Sequence, residues 1–259
     1  MYIDSHCHIN FPDFADRLPE VFSLMQQNQV SHALCISVEL EKLPEIIALA
    51  EAHPHVYASV GVHPDHEDCT EPSVAQLVQL AQHPKVVAIG ETGLDYYRLT
   101  GDLEWQRERF RTHIRAARES GKPLVIHTRE AAADTLNIMD EEQASEIGGV
   151  MHCFTENTQV AQAAMDMNFF ISFSGIVTFK NAHSIREVAA YVPLDRMLIE
   201  TDSPYLAPVP FRGKTNQPGW VSYVAEEIAR VKSVSVKEVG EITTRNFFRL
   251  FKGAVAGSV

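Results

Sequence analysis

The sequence predicts a (β/α)8 barrel with extra C-terminal helices, a TIM-barrel fold of the α/β class. Three observations lead there. Eight short apolar runs alternate with longer amphipathic stretches, the pattern of repeated βα units. The chain has 259 residues, and eight such units in about 250 residues match a closed barrel. The first apolar run ends in His6-Cys7-His8, where an open doubly wound sheet would carry a glycine-rich phosphate loop. No linker rich in Pro, Gly or Ser divides the sequence, so residues 1–259 read as a single domain.

The strands are expected at residues 2–8, 33–37, 56–63, 86–91, 124–127, 149–154, 169–174 and 197–202. Helical periodicity lies between them. In residues 103–119, for example, Trp105, Phe110, Ile114 and Ala117 recur at spacings of three to five. Ala52-His53-Pro54 and Gln82-His83-Pro84 read as helix ends, because proline cannot continue a helix and a histidine in the last turn suits its dipole. Gly121-Lys122-Pro123 ends the fourth helix in the same way. A Pro-rich loop at 204–218 precedes helices at 220–232 and 236–251, which would cover the outside or bottom of the barrel. Residues 252–259 are weakly patterned and are expected to fray.

Composition narrows the function. With 45% apolar and 22% charged residues the chain is an ordinary globular protein, not a disordered, coiled-coil or collagen-like one. Its 22 Lys+Arg against 34 Asp+Glu leave a net charge of −12. That balance excludes a basic surface that coats long nucleic acid, since such binding neutralises many phosphates with clustered cations. A small nucleic-acid substrate at a local cationic site stays open. Cys7, Cys35, Cys69 and Cys153 are too few and scattered for a disulfide framework, which points to a reducing compartment. The N-terminus lacks the features of a signal peptide and no segment is apolar enough to span a bilayer, so the expectation is a cytoplasmic protein with no membrane partner.

Barrel active sites lie at the C-terminal ends of the strands. In this sequence those positions hold His6, His8, His63, Glu91, His127, His152 and Asp202. His6 and His8 point to one side of their strand, with Cys7 opposite. Zinc, manganese, iron or nickel would accept such imidazoles and carboxylates. A lone His-x-His is weak evidence, but histidines at three strand ends plus Glu91 and Asp202 would be costly to gather without a metal.

These residues fall within motifs. Asp4-Ser5-His6-Cys7-His8, Gly61-Val62-His63-Pro64, Gly90-Glu91-Thr92-Gly93-Leu94-Asp95, His127-Thr128-Arg129-Glu130-Ala131, His152-Cys153-Phe154 and Glu200-Thr201-Asp202-Ser203-Pro204-Tyr205-Leu206 follow one another in order. Together they resemble the TatD-type metal-dependent deoxyribonucleases of the amidohydrolase superfamily. The resemblance runs from residue 4 to about 251, and Ser172-Phe173-Ser174-Gly175 and Pro208-Val209-Pro210 are most similar to its YcfH-like branch.

The resemblance implies two divalent metal ions, Zn, Mn or Mg. His6, His8, Glu91 and Asp202 would hold the first, and Glu91, His127 and His152 the second, with Glu91 as the bridge. A two-metal site activates water and stabilises charge on attacking and leaving oxygens. Asp202 would then accept the proton, and Glu91 and Asp202 are the expected catalytic carboxylates. Four imidazoles are softer than magnesium prefers, so a transition ion is expected to bind tightest.

The family pattern also implies a DNA substrate cut by a metal-activated water, from a strand end. Arg129 would grip phosphate in a bidentate fork, the alternative being a surface pair with Glu130 or Asp134. His63 would contact a phosphate or leaving group, or simply pack before Pro64. Arg212 and Lys214 supply positive charge beside the site or are solvated loop charges. Glu200, a layer below Asp202, would orient a ligand imidazole. Tyr96, Tyr97 and Phe154 stack bases or pack, and Cys7 and Cys153 are read as core residues. An ester hydrolase acting on small ester substrates or on D-aminoacyl-tRNA is the alternative activity, and a non-catalytic metal-binding scaffold is a third. A monomer is expected. Two divalent ions would move the formal charge from −12 to −8, which favours short, local engagement of a strand end.

Overall fold

The computed structural model describes residues 1–67, 69–97 and 99–256. Strands β1 (Tyr2–Cys7), β2 (Val30–Cys35), β3 (Val56–Val60), β4 (Val86–Asp95), β5 (Leu124–Arg129), β6 (Gly149–Met151), β7 (Phe169–Phe173) and β8 (Met197–Ile199) pair in parallel, in sequence order. Helices α1 (Leu18–Gln27), α2 (Leu43–Ala52), α3 (Val74–Ala81), α4 (Glu104–Ser120), α5 (Ala132–Glu141), α6 (Thr158–Asp166) and α7 (His183–Tyr191) alternate with them. The expected barrel is present. Helix boundaries follow local chemistry: Ser73, Asn157 and Ser235 each accept a backbone N–H from the first turn that follows. Gly121 ends α4 in the left-handed conformation, with φ of 69°.

One side chain from each strand forms the barrel's lower interior: Ile3, Leu34, Tyr57, Val87, Val125, Val150, Phe170 and Leu198 are all buried together. Helix α8 (Val221–Lys232) lies outside the barrel against α7 and α9. Helix α9 (Val236–Leu250) caps the bottom of the interior, and Phe247 and Phe251 pack onto that layer. Beyond this layer, in the last strand residues and the loops that follow, the interior turns from apolar to polar. Two residues beyond the layer come His127, His152, Ser172 and Glu200, and two further come Arg129, Ser174 and Asp202.

The seam between β8 and β1 is closed by the loop after β8. Asp202 N–H donates to the His6 carbonyl (2.9 Å), and His8 N–H donates to the Ser203 carbonyl (2.8 Å). Below them the buried Asp4 carboxylate accepts the Thr201 backbone N–H (2.8 Å) and the Thr201 hydroxyl. The seam therefore fixes His6, His8 and Asp202 relative to one another.

Three expectations need correction. Strands three, six and eight stop short of His63, His152 and Asp202, which stand in loops; Cys153 and Asp202 have φ of 42° and 56°, outside strand geometry. Residues 252–256 do not fray: Ala254 is buried, and the Tyr57 hydroxyl donates to the Val255 carbonyl and accepts its N–H. Residues 257–259 lie outside the described residues. Finally, His53 and His83 stand just beyond their helices, where Lys85 N–H donates to His83 Nδ1.

Candidate metal centre

Glu91 is the hub of the site. It is buried, and its two oxygens face different partners: Oε2 lies 3.3 Å from His6 Nε2, while Oε1 lies 2.7 Å from His152 Nε2, 3.2 Å from His127 Nδ1 and 3.3 Å from His63 Nε2. Asp202 Oδ1 completes the first group, 3.5 Å from His6 Nε2 and 3.4 Å from His8 Nε2. Donor atoms within 4.8 Å of one another form three overlapping sets, His6–His8–Glu91, His6–His152–Asp202 and His63–Glu91–His127. The six expected ligands are thus together, and His63 joins them.

Each imidazole is aimed by a partner on its far nitrogen. His8 Nδ1–H donates to the Ile36 carbonyl (3.2 Å), His127 Nε2–H to Asp95 (3.1 Å), His152 Nδ1–H to Glu200 (3.2 Å) and His63 Nδ1–H to Asp65 (2.5 Å). Those bonds fix the tautomers and leave bare nitrogens pointing at carboxylate oxygens. Lone pairs at such distances repel unless a proton or cation lies between them. The donor set therefore fits divalent ions. His6 is the exception, since its buried Nδ1 has no hydrogen-bond partner among the described residues.

Electrostatics agree. Burial raises the Glu91 carboxyl, but His152, His63 and His6 outweigh it and hold it well below the usual range. Burial raises Asp202 too, yet the His8 hydrogen bond and the charge of His6 bring it below its ordinary value. Burial lowers His152, and Glu91 and Glu200 raise it well above an ordinary histidine. His63, also lowered by burial, is pushed up to about 10 by Glu91 and its bond to Asp65. These carboxylates demand positive charge among the imidazoles.

Helix α4 supports one side of the site with a buried polar row at Gln106, Arg109 and His113. His113 Nε2 accepts Val62 N–H (3.1 Å), Arg109 Nη1 donates to the His63 carbonyl (3.0 Å), and Gln106 Nε2 donates to the Pro64 carbonyl (3.0 Å). Three consecutive backbone groups are thus held by one helix face. Gln106 Oε1 also accepts Asp95 N–H (2.9 Å), so the same row fixes the residue that aims His127. Close packing makes this possible at Gly93, φ +133°, where a Cβ would lie 2.0 Å from the His127 carbonyl oxygen.

A cavity of about 740 Å3 opens above the hub, lined on one side by Phe11, Ile176, Tyr205 and Leu206 and on the other by His63, Asp95 and Arg129. Arg129 lies 3.7 Å over the ring of Tyr97 at the rim, and no ion pair joins it to Glu130 or Asp134 among the described residues. Asp134 instead accepts the Tyr96 hydroxyl (2.7 Å), which turns Tyr96 out of the cavity. Phe154 is core. Glu200 takes the orienting position expected of it. Cys7 is core, but Cys153 lines the cavity, its N–H donating to Glu200 Oε1 (2.8 Å). Arg212 and Lys214 lie outside the lining, over the rings of Phe179 (3.6 Å) and Phe211 (5.6 Å).

The supporting residues Asp65, Asp95 and the α4 row went unassigned by sequence reasoning. Asp95 was accessible to it, because residues 91, 93 and 95 share one strand face.

A family model for TatD related DNases matches residues 3–252. The chain belongs to the TatD-related DNase family. It is 43% identical to the uncharacterized metal-dependent hydrolase YabD of Bacillus subtilis, covering 97% of this chain and 99% of that one. Against the uncharacterized metal-dependent hydrolase YcfH of Escherichia coli K12 the identity is 46%, over 96% and 95% of the two chains. The crystal structure of YjjV, a TatD homologue from E. coli K12, matches with a TM-score of 0.89 at 28% identity, covering 97% of this chain and 98% of that chain. This TatD-family member is a metal-dependent hydrolase. No helix among the described residues is long and apolar enough to cross a membrane.

Proposed function

We propose that this hydrolase is a deoxyribonuclease that removes nucleotides from a DNA strand end. One observation carries the reading: Glu91 divides its oxygens between two groups of imidazoles on the floor of a cavity whose rim holds Arg129. His6, His8, Glu91 and Asp202 would hold one divalent ion, and Glu91, His127 and His152 the other, with zinc, manganese or magnesium as the candidates. When bound, the ions supply Lewis acidity and lower the pKa of water.

The chain's own residues do the rest. Asp202, at the cavity floor with its carboxylate held ionised by His8 and His6, accepts the proton of the attacking water at Oδ. Arg129 presents its guanidinium to non-bridging phosphate oxygens. His63, on the cavity wall beside Glu91 with its ring aimed by Asp65, contacts phosphate or the leaving oxygen. The apolar layer beneath closes the floor, which supports entry of a strand end from the mouth. All the donors come from one chain, which supports a monomeric enzyme, and four free cysteines support a cytoplasmic location.

The test is to add Mg2+, Mn2+ or Zn2+ to metal-stripped protein with a labelled single-stranded oligonucleotide, an aminoacylated tRNA and a chromogenic ester. Stepwise shortening of the oligonucleotide is expected, with Asp202→Asn slowed about 10²–10⁴-fold. Turnover of the ester or tRNA alone would refute the nuclease assignment.

A further inference from the structure

The cavity mouth is electrically lopsided. Around the β2, β3, β5 and β6 loops stand Glu39, Glu41, Asp65, Glu67, Glu71, Glu130 and Glu156, of which Asp65 and Glu71 are paired with His63 and Arg109. Across the mouth, residues 167–186 and 203–217 contain no Asp or Glu at all, in a chain with 34. The first segment spans β7, the loop after it and the start of α7, and the second lies in the loop after β8. Their cations are Lys180, Arg186, Arg212 and Lys214. Arg186 is committed to the Val177 and Phe179 carbonyls and to Glu227 at 3.9 Å. Lys180, Arg212 and Lys214 are exposed, and none is ion-paired among the described residues. Most other cations of the chain are tied to acids or carbonyls, so three without an acidic partner on this side of the mouth, facing Arg129 on the other, stand out.

The two loops form one continuous surface leading out of the cavity. Ile176, Tyr205 and Leu206 line its wall. Gly175 packs so tightly on the Leu206 carbonyl that a Cβ would lie 2.0 Å from its oxygen, and Val209 N–H donates to the Thr178 hydroxyl (2.9 Å). One residue on, Phe179 carries Arg212, and beyond it Lys214 sits over Phe211, itself stacked on Trp220 at 4.1 Å. The step out of the cavity is aromatic: Tyr205, 57% exposed, meets Phe11 edge-on at 6.4 Å, and Phe11 stacks on His8 at 4.8 Å.

We infer that this β7–β8 loop pair is the track along which single-stranded DNA leaves the site, its first base against Tyr205 and Phe11 and its next phosphates against Arg212, Lys214 and Lys180. The inference rests on the nuclease reading and adds to it the path the strand takes across the surface. Aromatic faces interleaved with cations suit unpaired bases on a flexible backbone. Beyond Arg129 the rim opposite is acidic and repels the same backbone, which favours the β7–β8 exit. Three phosphate contacts also suffice for a short strand end while the net charge of −12 discourages longer engagement.

The experiment compares K180E/R212E/K214E with R196E/R249E/K252E, an equal charge reversal on the cluster around Phe170 at the barrel bottom. Binding of a fluorescein-labelled phosphorothioate 12-mer is followed by anisotropy on metal-loaded protein across a salt series. The track variant is expected to bind at least tenfold more weakly, with the salt slope reduced by about 2, from ~0.7 per single-strand phosphate contact. Its kcat/KM ratio for a 12-mer over a dinucleotide should fall about tenfold, and the bottom-face variant should match wild type. Equal affinities for both variants, or no binding by wild type, would overturn the track. If wild type binds through these cations but cleaves no DNA, the track stands and the nuclease reading fails. If it cleaves DNA and the track variant does so equally well, the reverse holds.

Discussion

Replacing Arg109 by methionine tests whether α4 positions the site or only packs against it. The side chain is 1% exposed; Nε and Nη2 grip the Glu71 carboxylate, Nη1 holds the His63 carbonyl at 3.0 Å, and Nη2 reaches Cys69 Sγ at 3.2 Å. Methionine keeps the volume of the stem and removes every donor. A charged donor on a buried carbonyl contributes about 1.5–3 kcal/mol. Glu71 is 49% exposed and rehydrates when freed, so its pair adds at most about 1 kcal/mol. The expected loss is near 3 kcal/mol, which for a chain of this size lowers Tm by about 6–12 °C. If the bond also places His63, kcat/KM falls by about 10–100-fold in the parent, since small misplacements of a substrate-binding group carry penalties of that order. In a His63→Ala background the same substitution should lower kcat/KM less than twofold while the Tm loss persists. Arg109→Lys, which cannot form the fork, should fall between the two. Equal activity losses in both backgrounds would refute positioning, and an unchanged Tm would refute the clasp itself.

Glu200→Gln removes the charge behind His152 and should weaken metal affinity about 10–100-fold in competition with a chelating dye. Gly93→Ala should destabilise by about 3 kcal/mol or more in thermal melts, because its Cβ would collide with the His127 carbonyl where φ is +133°. A wild-type Tm in that variant would contradict the close approach of β4 to β5. His113, lowered by burial to about 4, binds its proton in the unfolded chain near the ordinary 6.5 but not in the folded one. Its contribution is therefore complete above about pH 6.5 and is lost as pH falls toward 4, by up to about 3 kcal/mol. Urea denaturation of His113→Gln should show a correspondingly flatter pH profile across that window.

The barrel was legible because the strands are short, mostly buried stretches with an apolar start or core and the connections between them carry helical spacing. The ligand set was legible too, since alternation from Val125 and Val150 leads inward to His127 and His152. What the residues did not disclose is backbone irregularity. Pairing slips between Asp4 and Cys7 in β1 and between Ile89 and Thr92 in β4, next to His6 and Glu91. Slips of this kind re-aim side chains and follow from no residue pattern. The supports of His63 were hidden for another reason. Gln106, Arg109 and His113 read as polar breaks on the buried face of α4, and their partners are mostly main-chain groups of a distant loop, which carry no sequence signal. Arg212 and Lys214, expected beside the site, stand outside the cavity lining over the rings of Phe179 and Phe211, contacts that chain proximity alone does not disclose.

The two halves of the centre are buttressed differently, and this bears on how they would share metal. Behind His127, His152 and His63 stand the carboxylates Asp95, Glu200 and Asp65. Among the described residues, behind His8 stands only the neutral Ile36 carbonyl, and His6 Nδ1 has no hydrogen-bond partner. A carboxylate behind an imidazole makes it a stronger donor and fixes its orientation. The His127–His152 half is therefore the stiffer and more basic, while the His6–His8 half depends on the β1–β8 seam for its shape. Asp202 belongs to that seam half, on a loop residue with φ of 56° rather than on a strand. The proposed proton acceptor thus stands where the framework is least regular, and the strongest donors stand across Glu91 from it.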